Sequence, residues 1–108
     1  MPTVYITVPP EAADEFAVML VEERLAACVN QLESRSVYMW ESKLVRERET
    51  VLLAKTTAGR YEALKRRVVD AHPYDVPCIE RFDETDMFEP FADWIETSVG
   101  HGDEEAGL

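Results

Sequence analysis

The sequence predicts an α+β domain, a ferredoxin-like split βαβ sandwich in the order β-α-β-β-α-β with one further helix after it. Three observations carry the prediction. Residues 3–8 alternate Val4, Ile6 and Val8 against Thr3, Tyr5 and Thr7, the period of a strand. Residues 11–25 and 58–71 repeat apolar side chains at helical spacing. Between those helices lie two long β-rich runs joined by a short polar link, which reads as a hairpin. Two βαβ halves of this kind build a four-stranded antiparallel sheet with both helices on one face.

The elements follow in order. Pro9-Pro10 stops the first strand, and Pro10 suits the first turn of a helix. Ala13, Phe16, Ala17, Leu20 and Arg24 fall on one stripe of that helix, with Glu15, Glu22 and Glu23 off it. Residues 29–40 form one long strand, bent around residues 33–35. Glu41-Ser42-Lys43 is the turn, and residues 44–56 return. Two-stranded arms of this length are unstable alone in water, so this one is expected to rest on the sheet or on another subunit. Thr57 is the expected N-cap of the second helix, which ends at His72. Residues 77–82 make the fourth strand. Asp86 with Glu89 resembles a capping box opening a last helix to about Val99, expected to bury Phe88, Phe91, Trp94 and Ile95. Residues 1–100 are read as a single domain and 101–108 as an acidic, disordered tail.

Composition narrows the function. A net charge of −11 argues against nucleic acid, whose phosphates need clustered Lys and Arg, and against an anionic membrane. No apolar run approaches the roughly 20 residues of a membrane span. The opening MPTVYITVPPE lacks a basic stretch and a long apolar run, so the expected compartment is the cytoplasm. The acidity fits either carboxylate ligands for cations or a strongly solvated surface of the kind that suits a salty, halophile cytoplasm. Cys28 and Cys78 match no zinc spacing and are expected to stay reduced.

The stretch AHPYDVPC (71–78) is the focus of the chain. Pro73 ends the helix and forces His72 out of the α region, while Pro77 is confined to a strand start or sheet edge. One rigid turn thus presents the His72 imidazole beside the Tyr74 phenol. His72 is read either as a helix C-cap or as a ligand or acid/base group. Lys55 stands in an apolar strand, where a charge needs a partner, with Glu47 or Glu49 the candidates. Cys28 sits at a helix-to-strand junction, and Trp40 closes its strand. The sequence holds no Gly-rich phosphate loop, GxSxG, HExxH or CxxC, so no enzyme is expected.

ERLAACVN (23–30), YMWESK (38–43), the Glu47/Glu49 pair leading into LLAKTT (52–57), and HPYDVP (72–77) together resemble the CutA divalent-cation-tolerance family, in register from about residue 3 to 99. The resemblance implies a homotrimer with long hairpins packed between subunits, similar to the P-II signalling proteins. It implies a cleft between subunits lined by Cys28, Trp40, Glu49, Lys55, His72 and Tyr74, with His72 as metal ligand. The expected ligand is a divalent ion, copper or zinc, or a small effector. No cofactor is required, and neither nucleic acid nor membrane is a partner. The alternative is a signalling or structural adaptor docking a protein. Some family members carry a cysteine in the first strand and a second histidine before HPY. Here those positions are Ile6 and Ala71, which thins the soft and imidazole ligands that favour copper.

Overall fold

A computed structural model describes residues 1–100. The acidic tail expected over 101–108 lies outside the described residues. The elements are β1 (Pro2–Val8), α1 (Ala13–Glu22), β2 (Cys28–Trp40), β3 (Lys43–Lys55), α2 (Tyr61–Ala71), β4 (Ile79–Asp83) and α3 (Glu89–Ser98). Short 3₁₀ turns, Pro10–Ala12 and Ala58–Arg60, lead into α1 and α2. The strands pair in the order β2-β3-β1-β4, every pair antiparallel, which is the expected ferredoxin-like sheet.

Alternation along the strands decides the two faces. Val4, Ile6 and Val8 point with Leu52 and Ala54 toward the helices and form the core with Phe16, Leu20, Leu64 and Val68. Full burial of each such side chain stabilises the fold by roughly 1.5–3 kcal/mol. The opposite face carries Thr3, Tyr5 and Thr7 from β1 and Val51, Leu53 and Lys55 from β3. Tyr5 meets Phe82 edge-on there, ring centroids 6.2 Å apart.

Helix ends depart from the sequence reading. Arg24 is not on the apolar stripe of α1, because α1 closes at Glu22 and Arg24 takes the left-handed conformation, φ 57°. The amide of Arg24 donates to the Val21 carbonyl (3.0 Å) and that of Leu25 to Leu20 (2.9 Å), the double bond of a Schellman cap. Thr57 precedes α2 in extended conformation, but its side chain caps nothing; its carbonyl accepts from the Arg60 amide instead. Asp86 fails for a different reason, lying too early: Phe88 holds the N-cap position of α3, and Pro90 lies in the first turn. Of the four residues expected to be buried in α3, only Ile95 is, at 0% exposure, with Val99, Ala27, Met1 and Met87 around it. Phe88 (76% exposed) and Trp94 (47%) stay outside, and Phe91 stacks on Trp94 at 5.7 Å. This short helix lays a narrow stripe on the domain, and the aromatic residues lie off it.

The hairpin is longer and more regular than expected. β2 and β3 have 13 residues each and pair from Cys28↔Lys55 to Trp40↔Lys43 without interruption, so the bend expected at 33–35 brings no break in register. Glu41 and Ser42 alone make the turn, both left-handed (φ 49° and 65°), as a type I′ hairpin turn requires. β1 accompanies β3 only as far as Val8↔Thr50. Beyond that point the two strands run on as a free arm, which stretches the molecule to 44 Å along its longest axis.

Candidate functional site

The base of the arm, the end of β1 and the HPYDVP turn meet on the helix-free face. The register puts Ser36, Tyr38, Trp40, Glu47 and Glu49 on that one face of the arm. Ser36 lies diagonal to Glu49, and Tyr38 diagonal to Glu47, close enough for side chains to join. Across from them the turn brings Pro73, Tyr74, Asp75 and Val76. The space between the turn and Tyr38, Trp40 and Glu49, with Thr7 and Cys78 completing its wall, is a cleft of about 460 Å³; Ser36 and Glu47 join it through their hydrogen bonds to Glu49, Tyr38 and Tyr74.

The turn is held in place by its histidine. The His72 Nε2–H donates to the Thr7 carbonyl (2.8 Å), while Nδ1 accepts from the Tyr74 amide (3.1 Å). This pattern defines a neutral imidazole with both nitrogens engaged. The ring also packs between Phe16 (5.7 Å) and Tyr74 (4.6 Å). His72 caps the helix through its backbone, whose amide donates to Val68, while its side chain ties the turn to β1. A metal at this imidazole would have to displace one of those bonds. Among the described residues no three His, Cys, Asp or Glu side chains converge well enough to hold an ion. The copper ligand set suggested by the resemblance therefore does not fit one subunit.

The polar centre of the cleft is made of carboxylates and phenols. Glu49, 7% exposed, accepts from Ser36 Oγ and from the Tyr74 hydroxyl (3.2 Å). Glu47 Oε1 accepts from Tyr38 (2.7 Å) and, at 3.4 Å, from Tyr74. The hydrogen bond to Glu47 pushes the Tyr38 phenol up to about 12. Burial, and then the charge of Glu49, raises Tyr74 as well. Both phenols are thus fixed as donors to the carboxylates. Among the described residues no cationic side chain pairs with Glu47 or Glu49. Burial, with a bond to Glu80, also raises the Cys78 thiol, which keeps it protonated and a poor nucleophile.

Of the six residues singled out in the sequence, Trp40, Glu49 and Tyr74 line the cleft and His72 braces its wall. Cys28 and Lys55 share the same sheet face but are paired with each other at its far end. Six steps along β3 separate Lys55 from Glu49, about 20 Å at the usual rise. Lys55 does not pair with Glu47 or Glu49. Its Nζ donates to Thr3 Oγ1 (3.1 Å), which in turn donates to Glu84. Ser36, Tyr38 and Cys78 were missed. For the first two the signal was present, since a two-residue turn after Trp40 puts every even position of β2 opposite an odd one of β3.

Comparison with known proteins agrees with this architecture. The family described as CutA1 divalent ion tolerance protein matches residues 2–98. The divalent-cation tolerance protein CutA of Pyrococcus horikoshii is 41% identical over 93 residues, 85% of this chain and 91% of its own. The solved structure of the divalent cation tolerance protein (CutA1) of Thermus thermophilus superposes with a TM-score of 0.87 at 42% identity, covering 93% of this chain and 100% of that one. The PII-like protein CutA from Nostoc, in apo form, gives a TM-score of 0.90 at 28% identity, covering 94% and 99%. The chain belongs to the CutA1 divalent ion tolerance family.

Proposed function

We propose that this chain acts as a cytoplasmic, non-enzymatic homotrimer in tolerance of divalent metal ions, and that it takes a cation or small effector in the cleft between the arm and the HPYDVP turn. The observation that carries the reading is the Glu47/Glu49 pair. Two carboxylates, one of them nearly buried, are oriented by three hydroxyls and have no cation of their own. Removing charge from water without a counter-ion is costly, and a cation or a donor-rich ligand relieves that cost. Oxygen donors without thiolate or imidazole suit hard divalent ions such as Mg²⁺, Ca²⁺ and Mn²⁺. The trimer is supported by the arm, which exposes Val37, Met39 and Leu44 on one side and Trp40 on the other. So long an apolar ribbon is stable only when covered.

Native mass spectrometry tests this reading, on the purified protein and then with Zn²⁺ or Cu²⁺ and chelator controls. The expected result is a trimer that retains stoichiometric ion or a small molecule, with at least a tenfold loss in Glu49→Gln, the scale of one charged contact. Equal retention in Glu49→Gln would remove the cleft from the function.

A second reading, an adaptor that docks a protein, is favoured by the exposed Phe88, Phe91 and Trp94 of α3. It expects a partner whose capture survives chelation and is lost in Trp94→Ser.

A further inference from the structure

The two faces of the arm carry net charge of opposite sign, with Lys43 at the tip of the acidic face and Glu33 at the base of the basic one. Glu47 and Glu49 occupy one face with Ser36, Tyr38 and Trp40, and there they accept hydrogen bonds from neutral hydroxyls alone. The other face holds Arg35, Arg46 and Arg48 against the single acid Glu33, interleaved with Val37, Met39 and Leu44. All three arginines are exposed, and among the described residues none has a hydrogen-bond or ion-pair partner. Arg35 and Arg48 are direct cross-strand partners, an arrangement that weakens an isolated ribbon. In a chain with 22 acidic and 11 basic side chains, three arginines on one face of one arm form a concentrated exception.

An assembly that brought like faces together would set arginine against arginine. A head-to-tail ring brings unlike faces together, so the basic face of each arm meets the acidic face of the next. We infer that Arg48, flanked by Arg35 and Arg46, enters the cleft of the neighbouring subunit and is the counter-ion of Glu47 and Glu49 there, so that a second copy of this chain completes the site. The inference rests on the trimeric reading above. The cleft, about 460 Å³, has room for a guanidinium, whose planar fork matches a carboxylate. Incoming divalent ions then compete with that guanidinium for the same oxygens, so ion binding and arm packing oppose each other.

Zero-length carbodiimide coupling of the full-length Arg48→Lys protein tests the contact, with ¹⁴N- and ¹⁵N-labelled subunits mixed by refolding. Lysine keeps the charge and provides the reactive amine. An inter-subunit link from position 48 to Glu47 or Glu49 is the expected product. In parallel, sedimentation of Arg35→Glu/Arg48→Glu should show dissociation at roughly tenfold or more higher protein concentration than the unaltered chain. Arg48→Gln should hold Zn²⁺ several-fold more tightly. A trimer that gives no such link, or one indifferent to the double charge reversal, would overturn this inference and leave the trimeric reading standing. A monomer in the unaltered protein would overturn both.

Discussion

Replacing His72 with phenylalanine separates a bracing role from a ligand role. The new ring keeps the contacts with Phe16 and Tyr74, and the two nitrogens are lost. The Thr7 carbonyl loses a donor at 2.8 Å, and the Tyr74 amide loses an acceptor at 3.1 Å. A neutral hydrogen bond contributes about 0.5–1.5 kcal/mol net, and a buried group left unpaired costs about 1–3 kcal/mol. Water reaches this partly exposed turn, so the lower part of each range applies and the sum is about 2 kcal/mol. With a urea slope of about 1–3 kcal/mol per molar, the midpoint should fall by roughly 1 M. The assay is urea unfolding of metal-free protein at one fixed concentration, because subunit association adds to apparent stability. Amide exchange at Tyr74 should quicken in the variant. A metal-free stability unchanged within about 0.5 kcal/mol, together with lost ion binding, would refute the bracing role and restore His72 as a ligand.

The phenols make a second prediction, about alkaline pH. Tyr38 is held near 12 and Tyr74 is also raised above the ordinary value of 10.0. Their contribution to stability is therefore complete below about pH 10 and is lost as the pH rises through about 12. The stability gap between the unaltered protein and Tyr38→Phe/Tyr74→Phe should narrow over that range, and a constant gap would contradict it. The turn makes the third. Ser42 sits at φ 65°, where glycine is unstrained, so Ser42→Gly should raise stability by about 1 kcal/mol in thermal unfolding. A lower midpoint would mean that the serine side chain has a role in the assembled arm.

The strands and the core were legible because their signals are local and repetitive. Val4, Ile6 and Val8 alternate in sequence and are buried together in space. Helix ends were harder to read, since many polar residues near a boundary look able to cap it. Thr57 stands at the N-cap of the 3₁₀ turn before α2 without a side-chain bond to it, and Asp86 lies two residues before the N-cap of α3. The aromatic residues of α3 misled for another reason: hydrophobic spacing marks a helix face without saying which part of it meets the domain. Lys55 was a suspicious residue with the wrong partner, because the strand that supplies Thr3 is far away in sequence.

By itself the sequence determined the order of elements, the antiparallel sheet, the apolar faces of α1 and α2, and the place of the HPYDVP turn between α2 and β4, all consequences of periodicity and proline stereochemistry acting over a few residues. The tertiary structure decided which side chains share the cleft. Register joined Tyr38 to Glu47 and Ser36 to Glu49, chain return brought Tyr74 over both, and the length of β3 carried Lys55 and Cys28 away. Those are relations between residues distant in the chain, set by pairing and packing of whole strands, and local patterns do not encode them.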